Sequence, residues 1–217
     1  MNRSPASTHV RYYKNIKMGA DEKLHEKVFN EFLQLGANKE VSILVLASGH
    51  GALEQRLIDH GFLNLQSIDI EDNYKADKKN LNIRDLNKNF DDITGSFDYI
   101  FAMEIIEHLE NQFHFIRNVE KLMNSKTILF ITTPDVYRKS LRLRFLLTNE
   151  IEFFTERDLH GSGHINIIQD HVFKHNLELS KLTVNKESSN RNYFSKINFK
   201  GNTIKFKVFF AIYKLIS

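Results

Sequence analysis

Val41-Ser-Ile-Leu-Val-Leu-Ala-Ser-Gly-His-Gly51 decides how this chain folds. Five apolar or β-branched positions run straight into a turn of small residues, which is how a buried parallel strand ends when its backbone must approach a ligand closely. Gly49 and Gly51 reach dihedrals closed to other residues and carry no Cβ, and Ala52 to His60 then reads as a helix. A second apolar run, Leu65 to Ile68, ends on Asp69, eighteen residues after Gly51 (69 − 51 = 18). A carboxylate there accepts both hydroxyls of a ribose. The turn from Ala47 to Gly51, with Asp69 beside it, therefore predicts a site for an adenosine ligand.

Outward from this stretch the chain alternates helix and strand. Asp21 to Leu35 sets Leu24, Val28, Phe32 and Leu35 on one helical face, Leu81 to Ile83 is a weaker strand, and Phe97 to Ala102 is a buried one. Gln112 to Met123 is amphipathic, and Thr127 to Thr132 is a further buried strand. Such βα order folds as a parallel sheet with helices on both faces and ligands beyond the carboxyl ends of its strands. The two prolines, Pro5 and Pro134, leave the middle of the chain free for this alternation.

With 217 residues the chain fits one α/β domain and needs no staple for its core. It has no cysteine, which removes any disulfide framework, and no apolar run follows Met1 to Thr8, so the cytoplasm is the expected compartment. A net charge of +3 is too small to imply nucleic acid by itself, although Lys181 to Ser217 holds eight Lys or Arg against the single acid Glu187. Dinucleotide enzymes share the glycine turn and later acid, but their fingerprint wants a third small residue where this chain has Glu54.

Five blocks together resemble the class I S-adenosylmethionine-dependent methyltransferases. Ile43-Leu-Val-Leu-Ala-Ser-Gly-His-Gly-Ala-Leu53 looks like their first motif and Ser67-Ile-Asp-Ile70 like their second. Asn82-Ile-Arg-Asp-Leu-Asn87 resembles the segment whose acid meets the adenine amino group. Ser96 to Glu110 resembles the fourth strand with its loop, and Ile128-Leu-Phe-Ile-Thr-Thr-Pro134 the fifth. The resemblance spans roughly 41–182 and implies a Rossmann-like, doubly wound, mostly parallel seven-stranded sheet with helices on both faces. Its cofactor would be S-adenosylmethionine. Ser48, Gly49 and His50 would offer backbone groups to its methionine part, Asp69 would hold its ribose, Asp85 with Leu86 would frame its adenine and Met103 would cover the sulfonium, with Ala47, Gly51 and Ile70 also among the cofactor-binding residues. Glu71 competes with Asp69 for the ribose, and Asp85 also reads as an ordinary solvated loop acid. One departure weakens cofactor binding: Val45 stands where the family usually carries an acid, and Ala47 where it has its first glycine. Glu104 is the expected substitute partner for the cofactor's amino group. A module that has lost its activity is an alternative reading of the same departure.

Glu104-Ile-Ile-Glu107-His108 follows the fourth strand directly, so its side chains project toward the place of a methyl acceptor. Methylating a hydroxyl requires removing its proton, and an imidazole is the usual base near neutrality. His108 is assigned that role, with Glu107 orienting it. A helix-start histidine bonded to a backbone carbonyl is the bland alternative. The same five residues match the Glu-x-x-Glu-His pattern of the metal-dependent O-methyltransferases of small-RNA 3′ ends and of ubiquinone synthesis. That match, with His164 arriving from downstream, admits a divalent metal, although plain hydrogen bonding is favoured over it.

The expected organisation is one methyltransferase domain over 1–217. It has a helical lid at 1–40 with Tyr12 and Tyr13 closing over the cofactor, a Rossmann-like core at 41–184, a substrate-side insertion at 135–163 and a basic, apolar segment at 185–217. In the insertion, Phe153 and Phe154 are placed to stack on a ring, and Arg138, Lys139, Arg142 and Arg144 to hold an anionic group; a surface helix with Leu141, Phe145 and Leu146 inward is the alternative. The block from Arg144 to Thr148 and Gly163-His-Ile-Asn166 resemble methyltransferases of bacterial surface polysaccharide and small-metabolite pathways. The expected acceptor is therefore a small metabolite or glycan, with nucleic acid disfavoured. The alternation at Ile204, Phe206 and Val208 predicts an edge strand or homodimer contact, ahead of contact with an anionic membrane surface.

Overall fold

The computed structural model describes residues 11–20, 22–76, 81–137, 139–188 and 206–213, the last of these by backbone alone. Strands β1 (Arg11–Tyr13) and β2 (Ile16–Met18) pair antiparallel, then come α1 (Glu22–Gln34), β3 (Ile43–Leu46), α2 (Ala52–Asp59), β4 (Leu65–Asp69) and β5 (Leu81–Ile83). They are followed by β6 (Tyr99–Met103), a 3-10 turn at Ile106–His108, α3 (Gln112–Lys121), β7 (Ile128–Pro134), α4 (Lys139–Thr148), α5 (Glu156–Gly161), α6 (Asp170–Leu179), β8 (Leu182–Ser188) and β9 (Phe206–Tyr213).

The fold is a Rossmann-like α/β arrangement around a mostly parallel sheet. Its core is β5-β4-β3-β6-β7, each neighbour parallel, with Val45 opposite both Ser67 and Phe101. Beyond β7, the backbone of β9 runs parallel to β7 and to β8. Successive residues of a strand point to opposite faces, and the two hydrophobic clusters divide accordingly. Leu44, Leu46, Ile100, Ala102, Leu129 and Ile131 pack with Phe115, Val119, Phe173 and Leu177 of α3 and α6. Ile43, Val45, Tyr99, Phe101 and Phe130 pack with Leu24, Val28 and Phe32 of α1 and with Leu53 and Leu57 of α2. Each central strand is thus buried on both sides, which is why β3, β6 and β7 read as unbroken apolar runs.

Several expectations need correction. Leu35 lies past the end of α1 and is exposed, while Phe29 takes its place in the core. The segment expected as a helical lid holds the β1–β2 ribbon before its helix, and the Tyr13 hydroxyl donates to Asp59 Oδ2 (2.8 Å), at the end of α2 away from the glycine turn. Tyr12 is exposed. Helix α4 does not turn Leu141, Phe145 and Leu146 inward together: only Leu141 is buried. The expectation at Ile204, and those on the side chains of the basic tail beyond Ser188, fall outside the described residues.

Candidate active site

The carboxyl ends of β3, β4, β6 and β7 line one rim, and the residues singled out in the sequence collect there in two groups. The first is the turn after β3. Ala47, Gly49 and Gly51 all take positive φ (59°, 56° and 83°), so three of the five residues from Ala47 to Gly51 are in the left-handed region. Such angles are ordinary for glycine and strained for Ala47. Ser48 is tied down from both sides: its N–H donates to Ile68 O (3.0 Å) and its hydroxyl reaches the same carbonyl at 3.2 Å. His50 O accepts from Lys75 N–H (2.9 Å). Gly51 caps α2, and a Cβ on it would lie 2.8 Å from the Tyr74 ring, so glycine is required there by space as well as by φ.

Asp69 ends β4 and faces the turn. Its Oδ2 accepts from Gly49 N–H at 2.7 Å and its Oδ1 from Glu71 N–H at 3.1 Å. Each oxygen keeps a further lone pair for a ligand hydroxyl. Glu71, the competing acid, is exposed and serves Asp69 through its backbone. Space above the turn is open: a Cβ on Gly49 would have no neighbour within 4 Å. Ile70 and Ile83 stand exposed at this rim, the latter the residue after Asn82 and the register partner of Asp69. Asp85 is half-buried and its Oδ1 closes its own turn on Asn87 N–H (2.9 Å). Leu86, expected against the adenine, belongs instead to the core with Phe90 and Phe115. Met103 is half-buried at the end of β6.

Beneath the turn lies a polar group that sequence reasoning missed. Glu54 is fully buried on α2 and accepts from the Ser67 hydroxyl at 3.2 Å, and Ser67 in turn bonds the Tyr74 hydroxyl at 3.1 Å. Burial pushes the Glu54 carboxyl up to about 7, against hydrogen bonding from Ser48 and Ser67. The signal was present in the spacing: Glu54 sits between Leu53 and Leu57 on the face of α2 that packs inward. Val45 is buried in the adjoining core, where a carboxylate would meet phenylalanines.

The second group follows β6. Glu104 has φ of 50°, its N–H donates to Thr132 Oγ1 (2.9 Å), and its own carboxyl oxygen accepts from that hydroxyl (2.9 Å). Burial raises its carboxyl to about 7. Glu107, fully buried in the next turn, has the Thr133 hydroxyl and its own backbone N–H close by, but among the described residues no donor in good hydrogen-bond geometry at either oxygen. Burial, and then repulsion from Glu104, hold its carboxyl well above the ordinary range. The chain returns to this point from afar: Ile165 and Asn166 N–H both donate to Glu107 O (3.0 and 2.9 Å), which brings His164 beside His108 with ring centres 4.7 Å apart.

Each imidazole is oriented by a carbonyl. His108 Nδ1 lies 3.1 Å from Gly163 O and His164 Nδ1 2.7 Å from Phe153 O. A carbonyl only accepts, so Nδ1 carries the proton in both rings and Nε2 keeps a lone pair when the ring is neutral. Burial lowers both histidines, and His108 is lowered further by His164, which favours the neutral form. The orienting group of His108 is thus Gly163 O rather than Glu107. Ligand atoms of Glu107, His108 and His164 lie within 4.8 Å of one another. Phe154 packs on His164 at 5.4 Å instead of standing free to stack, and Arg144 pairs with Glu150 at 3.3 Å.

A glycine turn after β3 with an acid at the end of β4, and an acid and histidine cluster after β6, thus share one rim of the sheet. The methyltransferase-domain family profile matches residues 20–186, and the chain belongs to that family: it is a class I S-adenosylmethionine-dependent methyltransferase. No curated protein sequence matches it significantly. Among solved structures it resembles magnesium protoporphyrin IX methyltransferase from Synechocystis PCC 6803 with bound S-adenosylhomocysteine, at 15% identity over 73% of this chain and 71% of that one (TM-score 0.53). It also resembles a SAM-dependent methyltransferase from Archaeoglobus fulgidus, at 15% identity over 72% and 68% (TM-score 0.52). A putative methyltransferase from an antibiotic biosynthesis pathway of Anabaena variabilis ATCC 29413 aligns at 15% identity over 72% and 61% (TM-score 0.52). At such identity these likenesses speak for the fold alone. The cofactor of the family fits the residues at the turn: open backbone at Gly49, a carboxylate with free lone pairs at Asp69, and exposed apolar surface at Ile70 and Ile83.

Proposed function

We propose that the chain methylates an oxygen, and in second place a nitrogen, of a small metabolite or glycan in the cytoplasm. The observation that carries this reading is His108, a neutral imidazole with its Nδ1 proton tied to Gly163 O and Nε2 free at the end of β6. Bound S-adenosylmethionine supplies a methyl group on a sulfonium. Asp69 would accept its ribose hydroxyls, Ile70 and Ile83 would flank its adenine with Asp85 at the amine, Glu104 would meet its ammonium, and Met103 would cover the sulfonium side. His108 Nε2 accepts the proton of the acceptor hydroxyl, so that the oxygen is nucleophilic when the methyl is within reach. The five-stranded core with β9 and β8 is proposed to form one continuous seven-stranded sheet, supported by the backbone pairing of β9.

A second reading is favoured by Glu107. A buried carboxyl without a donor costs about 1–3 kcal/mol, and a cation would remove that cost. Glu107, His108 and His164 supply one carboxylate and two imidazole Nε2 atoms, with Nδ1 of each ring bonded to a carbonyl as in metal-ligating histidines. A divalent ion held there would polarise an acceptor oxygen.

Methyl transfer from labelled S-adenosylmethionine to a panel of catechols, sugars and amines tests both readings. Label on a hydroxyl oxygen, at a rate unchanged after dialysis against a chelator, supports His108 as the base. Loss on dialysis with recovery on adding Mn²⁺ or Mg²⁺ supports the cation. Label carried by amines alone would overturn oxygen as the acceptor.

A further inference from the structure

Helix α4 leaves the carboxyl end of β7 and carries apolar side chains on two opposite sides. Leu141 is 5% exposed and faces the protein, while Leu143, Leu146 and Leu147, at i, i+3 and i+4 on the opposite side, are 58%, 80% and 76% exposed. At 3.6 residues per turn, Arg142 and Arg144 fall on the two flanks of this leucine stripe. The helix holds Lys139, Arg142 and Arg144 and no acid; the nearest, Glu150, lies past its end and pairs with Arg144 at the surface. Three adjacent leucines in water mark a contact surface, because a solvated helix face is ordinarily polar.

We propose that this face of α4 docks on an anionic lipid surface. The leucines enter the boundary between headgroups and acyl chains, and the flanking guanidinium groups bond lipid phosphate. Charge selects this occupant over a second copy of the chain, since stripe-to-stripe pairing would set the arginines of both copies against each other. Among the described residues no helix is long and apolar enough to cross a membrane, so the contact is one of surface. It would also lie near the acceptor rim, for Phe153, whose carbonyl orients His164, comes five residues after α4 ends.

The chain has no tryptophan, so Leu146→Trp introduces a single emitter. Its emission is expected to shift to the blue when phosphatidylcholine vesicles containing phosphatidylglycerol are added, and to stay in place with phosphatidylcholine alone. Co-sedimentation of the Leu143→Ser/Leu146→Ser/Leu147→Ser variant with the anionic vesicles is expected to fall at least about tenfold. That of Arg142→Gln/Arg144→Gln should weaken severalfold and lose much of its salt dependence. Circular dichroism and the unfolding midpoint verify that each variant is folded. Three results would overturn the proposal: no shift at Leu146→Trp, co-sedimentation of the triple serine variant at the wild-type level, or a wild-type dimer in solution that the serine variant dissolves.

Discussion

The two halves of the rim differ in how far their polar atoms are satisfied. On the cofactor side, Asp69 receives two backbone N–H groups, and Glu54 receives at one oxygen a hydroxyl backed by Tyr74, leaving only its Oε2 without a donor. On the acceptor side, Glu107 is as deeply buried as Glu54 and among the described residues has no donor in good hydrogen-bond geometry at either oxygen, while two histidines beside it keep Nε2 uncommitted. The first half is built to hold one shape around a known kind of ligand. The second stores unsatisfied polarity, the usual mark of a place where chemistry or an ion completes the bonding.

The largest effect should come from the uncommitted half. His108→Ala is expected to lower kcat about 10²- to 10⁴-fold with little change in the affinity for S-adenosylhomocysteine. An unchanged rate would remove His108 from the chemistry, and a parallel loss of affinity would mean that the two halves do not work separately. Next comes Gly51→Ala, which forces a Cβ against the Tyr74 ring at a φ of 83°. It should cost about 2–4 kcal/mol in denaturant unfolding.

A smaller effect concerns Glu54. Its carboxyl has a folded value of about 7 against an ordinary value of 4.5. Between these limits the folded state holds a proton that the unfolded state has lost, so this group's contribution to stability declines as pH rises from about 4.5 to about 7. Glu54→Gln removes that decline. The variant should therefore gain about 1–3 kcal/mol relative to wild type across the window, read from paired unfolding curves that cancel opposing groups such as His25. The smallest is Ala47→Gly, which relieves a φ of 59° and should raise stability by about 0.5–1 kcal/mol.

How much of this was legible in the sequence follows the same division. The turn from Ala47 to Gly51 and the acid at the end of β4 are written locally, as an apolar run, small residues and a spacing. The alternation that buries β3 and β6 on both faces is written in the same way. The acceptor side depends on a contact across 55 positions, from Gly163 O to His108, and one across 11, from Phe153 O to His164, both made by backbone carbonyls that no residue type announces. Glu107 is therefore the group expected to orient His108, with a backbone carbonyl as the alternative, and it is a carbonyl, that of Gly163, that lies 3.1 Å from Nδ1. Glu54 was read only as the wrong residue for a dinucleotide turn, because a charged side chain on a first helical turn is ordinarily solvated and its partner Tyr74 stands in an irregular segment. The periodicity of α4 was ambiguous for another reason: leucines on both sides of a helix cancel, and only burial tells the inner Leu141 from the outer Leu143, Leu146 and Leu147.

Titration calorimetry with S-adenosylhomocysteine, on wild type and on Asp69→Ala, measures whether the turn after β3 and the carboxylate at the end of β4 hold the cofactor. Saturable heat is expected for the wild type and an affinity about 10- to 100-fold lower once the carboxylate is gone, with the fold intact by circular dichroism. Silence from the wild type, or equal affinity in both proteins, would contradict that role.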